Sequence, residues 1–81
     1  MDDAEKSLIE TMAQKYGLVA SRNRDGCMWI GITHTVALLR VRADGGSFVV
    51  EVEYGDRKTI TGSAEALEKC LTEVAALRTA A

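Results

Sequence analysis

The stretch Val36–Tyr54, VALLRVRADGGSFVVEVEY, alternates apolar and polar residues on either side of Asp44-Gly45-Gly46-Ser47. Alternation with period two marks a strand that buries one face. A Gly-Gly pair supplies the positive φ that a tight hairpin turn requires. With Gly45-Gly46 as the loop, Ala43 faces Phe48, Val41 faces Val50 and Leu39 faces Val52. On the other face Arg42 meets Val49, Arg40 meets Glu51 and Leu38 meets Glu53. A slip by one residue would put arginines among the core residues, so the pattern fixes the register. The second face is mostly polar, with Leu38, Val49 and Val36 as its apolar members.

On the N-terminal side, residues 3–16 read as a helix. Leu8, Ile9, Met12, Ala13 and Tyr16 recur at helical spacing; Asp2 or Asp3 can cap the helix, and Glu5 lies three after Asp2, as in a loose capping box. Gly17 ends this helix in the left-handed conformation, with Leu18 folding back on its last turn. Leu18–Arg22 reads as a short strand, Asn23-Arg24-Asp25-Gly26 as a turn and Cys27–Thr33 as a firmer strand. Met28, Ile30 and Ile32 share its core face and Trp29 lies on the other, near Leu38 or Arg40. A short loop of two or four residues around Thr33-His34-Thr35 leads into Val36.

On the C-terminal side, Gly55-Asp56 is a further turn and Arg57–Thr61 a last strand. A two-residue loop pairs Glu53 with Lys58 and turns Ile60 outward, whereas a three-residue loop buries Ile60 opposite Val52. Ser63 caps a final helix with Glu65 in its first turn and an apolar stripe of Leu67, Cys70, Leu71, Val74 and Leu77. The predicted fold is α+β: a two-layer sandwich with an antiparallel meander of three to five strands and both terminal helices on one sheet face. The other face, carrying Trp29, Leu38, Arg40, Arg42, Val49, Glu51 and Glu53, is left open.

Composition narrows the function more than it names it. The 81 residues make one compact domain (1–81) with a modest core, too small for a large internal cavity. Ten basic against twelve acidic residues argue against direct nucleic-acid binding and suit a protein partner. The opening Met1-Asp2-Asp3 lacks the basic and apolar regions of a secretion signal, and no apolar run spans a membrane, so a cytoplasmic location is expected. Cys27 and Cys70 read as reduced, partly buried thiols.

Catalytic and metal chemistry finds little footing. His34 is the only histidine and has no ligand-spaced cysteine, so no metal site is expected. Glu51 and Glu53 share a strand face, but Arg40, Arg42 and Lys58 beside them make ion pairs the better reading. No serine sits in a nucleophile elbow and Gly45-Gly46 is not a phosphate loop. A non-enzymatic protein without cofactor is expected. Trp29 is the sharpest single residue, an interface anchor that with Leu38 and Arg40 would form an apolar centre, with Glu51 and Glu53 at its rim. Acidic residues crowd both helices: Asp2, Asp3, Glu5 and Glu10 on the first, Glu65, Glu68 and Glu73 on the second. They form a candidate acidic surface for a basic groove on a partner.

Three resemblances bear on this reading. The helix–strands–helix order resembles the double-stranded RNA-binding domain. There the second helix starts with a lysine-rich motif, where this chain has the acidic Ser63-Ala64-Glu65-Ala66-Leu67-Glu68, which argues against RNA binding. Leu8–Leu18 followed by Asp25–Ile30 resembles bacterial type III secretion chaperones, which are small, acidic, cytoplasmic dimers. The small size, mild acidity, acidic helices, Val36–Tyr54 hairpin and lack of an active-site constellation resemble phage-encoded anti-CRISPR proteins. That last resemblance implies an inhibitor in the bacterial host cytoplasm. It would dock on a subunit of a type I CRISPR surveillance complex and block target DNA. A monomer is expected, because the open face is mixed rather than continuously apolar.

Overall fold

In a computed structural model the structure describes residues 1–79. The order is α1 (Asp3–Lys15), β1 (Val19–Arg22), β2 (Met28–Gly31), β3 (Leu39–Asp44), β4 (Ser47–Val52), β5 (Lys58–Gly62) and α2 (Ala64–Thr79). The five strands form one antiparallel meander in chain order, β1-β2-β3-β4-β5. α1 lies over β1 and β2, and α2 over β4 and β5. This is the expected α+β arrangement at the upper end of the strand count.

The β3–β4 hairpin has the register its alternation demands, with Leu39 facing Val52, Val41 facing Val50, Ala43 facing Phe48 and Arg42 facing Val49. Gly45 and Gly46 take φ of 55° and 90° at its tip, a region where side chains with a Cβ are strained. Between the sheet and helices lie Met28, Ile30, Leu39, Val41, Phe48, Val50 and Val52, all buried, against Ile9, Met12, Ala13, Leu67, Cys70, Leu71 and Val74. Two ends of the expected helical stripes fall outside this core: Leu8 is 44% and Leu77 42% exposed. Leu8 precedes the fully buried Ile9 and is turned about 100° from it around the helix, off the buried stripe, while Leu77 lies near the end of α2.

α1 begins with the full capping box. Asp2 Oδ1 accepts from the Glu5 N–H at 2.8 Å and Glu5 Oε1 accepts from the Asp2 N–H at 3.1 Å. It ends in a Schellman turn: the Gly17 N–H donates to the Gln14 carbonyl (3.0 Å) and the Leu18 N–H to the Ala13 carbonyl (2.9 Å), with Gly17 at φ 70°. The carbonyls left at this end accept from the guanidinium of Arg78, which donates to Gly17 O at 2.8 Å and Tyr16 O at 3.2 Å. A cation at a helix C-terminus meets the negative end of its dipole, so the end of α2 fastens the end of α1. Lys15 and Glu68 add an exposed pair at 3.4 Å.

The short first strand joins the sheet as Val19–Arg22, with Val19 facing Gly31 and Arg22 facing Met28. Two connections depart from expectation. The β2–β3 connection is neither two nor four residues long: β2 ends at Gly31 and β3 begins at Leu39, three residues after the predicted start at Val36. The wide loop folds back over β2, so that a Cβ on Gly31 would overlap the Val36 carbonyl oxygen. Glycine permits that approach, and sequence patterning does not reveal it. On the far side, Ile60 faces Val50 and Lys58 faces Val52. Ile60 thus points inward as the three-residue option required, but one strand pair away from Val52, because the turn spans Glu53–Arg57.

Candidate functional site

The helices cover one face of the sheet; the other carries no helix, and the β2–β3 loop folds over its Gly31 end. Trp29 lies near the middle of that open face, flanked by Ser21 on β1 and Arg40 on β3. It remains 36% exposed. The Arg40 guanidinium stacks over the indole, 5.1 Å from Cζ to the ring centroid, a cation–π arrangement that arginine favours over lysine.

Arg40 is held from several directions. Its Nη2 donates to Asp25 Oδ2 at 3.1 Å, and its Nη1 lies 3.8 Å from Glu51 Oε2 and 3.9 Å from Glu53 Oε1. Asp25 is anchored in turn, since its Oδ1 accepts from the Cys27 N–H at 2.9 Å. That backbone hydrogen bond, aided by Arg40, holds the Asp25 carboxyl below the usual carboxylate range. Arg42 pairs with the remaining side of Glu51 at 3.5 Å. Arg40 Nε, shielded from water, has no hydrogen-bond partner. The result is an indole braced in one orientation by a cation that three carboxylates, one of them on a turn, keep in place.

The β2–β3 loop builds the walls. On one side of Trp29, a hollow of about 150 Å³ opens between β1, β2 and the loop, reaching His34 and Val36. On the other, a hollow of about 400 Å³ is lined by Trp29, Thr35, Val36, Ala37, Arg40, Glu53 and Arg57. Trp29 is thus a ridge between two shallow depressions. Val36 on their shared wall is 56% exposed.

The twelve residues expected to meet a partner divide into two sets. Trp29, Arg40, Glu51 and Glu53 come together as described. Leu38 does not join them: it is half-buried and packs against the core, because the strand starts only at Leu39 and the chain before it is free of the alternation. Its backbone keeps the expected pairing, accepting from the Glu53 N–H at 2.9 Å. Val36 takes the apolar place beside Trp29 that Leu38 was expected to fill. Val49, expected on the open face, is there but only 4% exposed, since it sits on a central strand between Arg42 and Thr61. Long side chains cover apolar neighbours with their methylene stems.

The acidic set lies in the helical layer, away from Trp29, and most of it already has a partner. Asp2 and Glu5 close the α1 cap. Asp3 and Glu10 both pair with Arg22, at 3.2 and 3.0 Å, tying α1 to β1. Glu68 pairs with Lys15. Glu65 and Glu73 make no ion pair among the described residues and remain exposed.

Asp25, Gly31, Val36 and Arg57 were not among the sequence candidates. Asp25 was legible only as a turn residue; its role depends on the turn reaching the arginine two strands away. Gly31 and Val36 depend on the loop's return path, which no local pattern encodes.

No group of three or more His, Cys, Asp or Glu side chains able to hold a metal is present among the described residues. His34 is exposed on the loop. Burial pushes the Cys27 thiol up, reinforced by the Asp25 charge, and burial pushes Cys70 up as well, so both favour the unreactive protonated form. No helix of the described residues is long and apolar enough to cross a membrane. Comparison of the chain with protein-family profiles, with curated proteins and with solved structures finds no match.

Proposed function

We propose that this chain is a protein-binding module that docks a partner through the open face of its sheet, with Trp29 as anchor. The observation that carries the reading is the braced Trp29–Arg40 pair standing between two depressions on the sheet face that carries no helix. Tryptophan and arginine dominate interface hot spots, and an anchor already held in one rotamer loses little entropy on binding. The partner chemistry that fits is an apolar side chain against the indole and Val36, with polar groups reaching Arg57 and the edges of Glu51 and Glu53.

In the inhibitor form of this reading, the partner is a subunit of a type I CRISPR surveillance complex and docking blocks target DNA. Its support is the resemblance in size, mild acidity and fold to anti-CRISPR proteins. The electrostatic part of that form narrows to Glu65 and Glu73, because the other helical carboxylates hold the fold together.

The test is a pull-down from bacterial lysate with the tagged chain and its Trp29→Ala variant, with and without nuclease, read by mass spectrometry. A partner retained by the wild type and depleted at least ~10-fold by Trp29→Ala, in both nuclease conditions, supports the docking face. Equal recovery by both proteins rejects it. CRISPR-complex subunits in the depleted set support the inhibitor form; a secreted effector points to a chaperone instead.

A further inference from the structure

The sheet has two free edges, and they differ. β1 offers four residues, Val19–Arg22, and β5 offers five, Lys58–Gly62. Natural edge strands discourage pairing with prolines, bulges, inward charges or covering loops. β5 carries no proline. It pairs with β4 without a bulge over its whole length, and its centre, Thr59-Ile60-Thr61, is β-branched throughout. Its one charge, Lys58, lies on the helix-side face opposite Val52, at the first position of the strand.

We infer that two copies of this chain pair antiparallel through β5, with the two-fold axis at Ile60, to form a continuous ten-stranded sheet. The strand is complementary to itself in that register. Ile60 of one copy meets Ile60 of the other on the helix side, where it is now only half-buried against the core beside the similarly half-buried Tyr54 and Ala64. On the open face Thr59 meets Thr61 of the second copy, and the reverse; both are exposed in the single chain. Lys58 meets Gly62, which has no side chain, so no like charges oppose one another. Gly62 is fixed as glycine from the other direction, since a Cβ there would come within 2.7 Å of Ala66 Cβ.

β1 lacks this fit. Antiparallel self-pairing about Ala20 or Ser21 would set Arg22 against Leu18 or Ala20 on the helix side, and its guanidinium already holds Asp3 and Glu10 of α1. Pairing through β5 leaves both Trp29 sites free and on one side of the joined sheet. The monomer expected from the mixed open face concerned a different surface.

Sedimentation equilibrium from ~10 μM to ~1 mM tests the inference. The expected result is a concentration-dependent rise from 8.8 kDa towards twice that mass. Thr59→Lys/Thr61→Lys places lysine opposite lysine at both open-face pairs and is expected to weaken association at least ~10-fold. Thr59→Lys/Thr61→Glu restores opposite charges in the same register and is expected to return it to the wild-type level or above. Both variants change exposed positions, and circular dichroism confirms their folding. A monomer throughout the range overturns the inference. So does a dimer that ignores both variants, which would place the interface elsewhere, and so does equal weakening by the two.

Discussion

The two faces of this sheet are built from neighbouring residues of the same strands, yet they are stabilised in different ways. On the helix side, Met28, Ile30, Leu39 and Val41 are fully buried under apolar side chains of α1 and α2. On the open side, the intervening residues Trp29, Arg40 and Arg42 are covered by one another, by Glu51, Glu53 and Asp25, and at one edge by the β2–β3 loop. The first face removes area from water. The second leaves its side chains wet and holds them by charge and stacking, which contributes little to stability but fixes a surface in one shape.

That contrast is broken most directly at adjacent residues. Ile30→Ala is expected to cost about 3 kcal/mol, because it empties a closed site, and to lower Tm by roughly 12–24 °C. Trp29→Ala is expected to cost about 1 kcal/mol, because its site is open and refills with water. Urea titrations of both variants measure the difference. Equal losses would mean that the open face is as much a core as the helix side.

The next effect in size sharpens how the loop shapes the open face. Gly31→Ala forces a Cβ against the Val36 carbonyl oxygen, at an expected cost of about 1–3 kcal/mol. The loop must lift, so the Trp29 fluorescence maximum should shift as well. A stable variant with unchanged emission would show that the loop yields without disturbing the ridge. A smaller loss, about 1 kcal/mol, is expected for Asp2→Ala, which removes the acceptor of the Glu5 N–H from the α1 cap. It tests whether an acidic residue of the helical layer serves the fold. Partner binding through the open face should not change with it.

The same contrast explains what the sequence made legible. The hairpin register, the α1 capping box and Gly17 at φ 70° follow from local spacing, and each is present; spacing put Trp29 near Leu38 or Arg40, and the fold selects Arg40. Burial on the helix side is periodic, so pattern reveals it. The open face is decided by contacts between elements far apart in sequence. Leu38 sits at an outward position of the alternation yet packs with the core, and Val49 is buried on the face that faces water. The acidic helices read as a surface because charge can be counted, whereas Arg22 and Lys15, which engage Asp3, Glu10 and Glu68, are brought to them only by the fold.

The smallest expected effect concerns Asp25, the side chain that couples the β1–β2 turn to Arg40. The Cys27 N–H and, after it, the Arg40 guanidinium lower its pKa from the usual 3.8. A carboxyl whose folded pKa is depressed contributes stability above its unfolded pKa and loses it as pH falls through the folded value. Asp25→Asn keeps an oxygen that can accept from Cys27 but removes the charge. The urea midpoint of the wild type should therefore exceed that of the variant by a constant amount at neutral pH. The gap should close below pH 3.8, as the wild-type carboxyl becomes protonated in both states. A gap that persists to the lowest pH would assign the role of Asp25 to hydrogen-bond geometry alone, and Arg40 would then owe its position over the indole to Glu51 and Glu53.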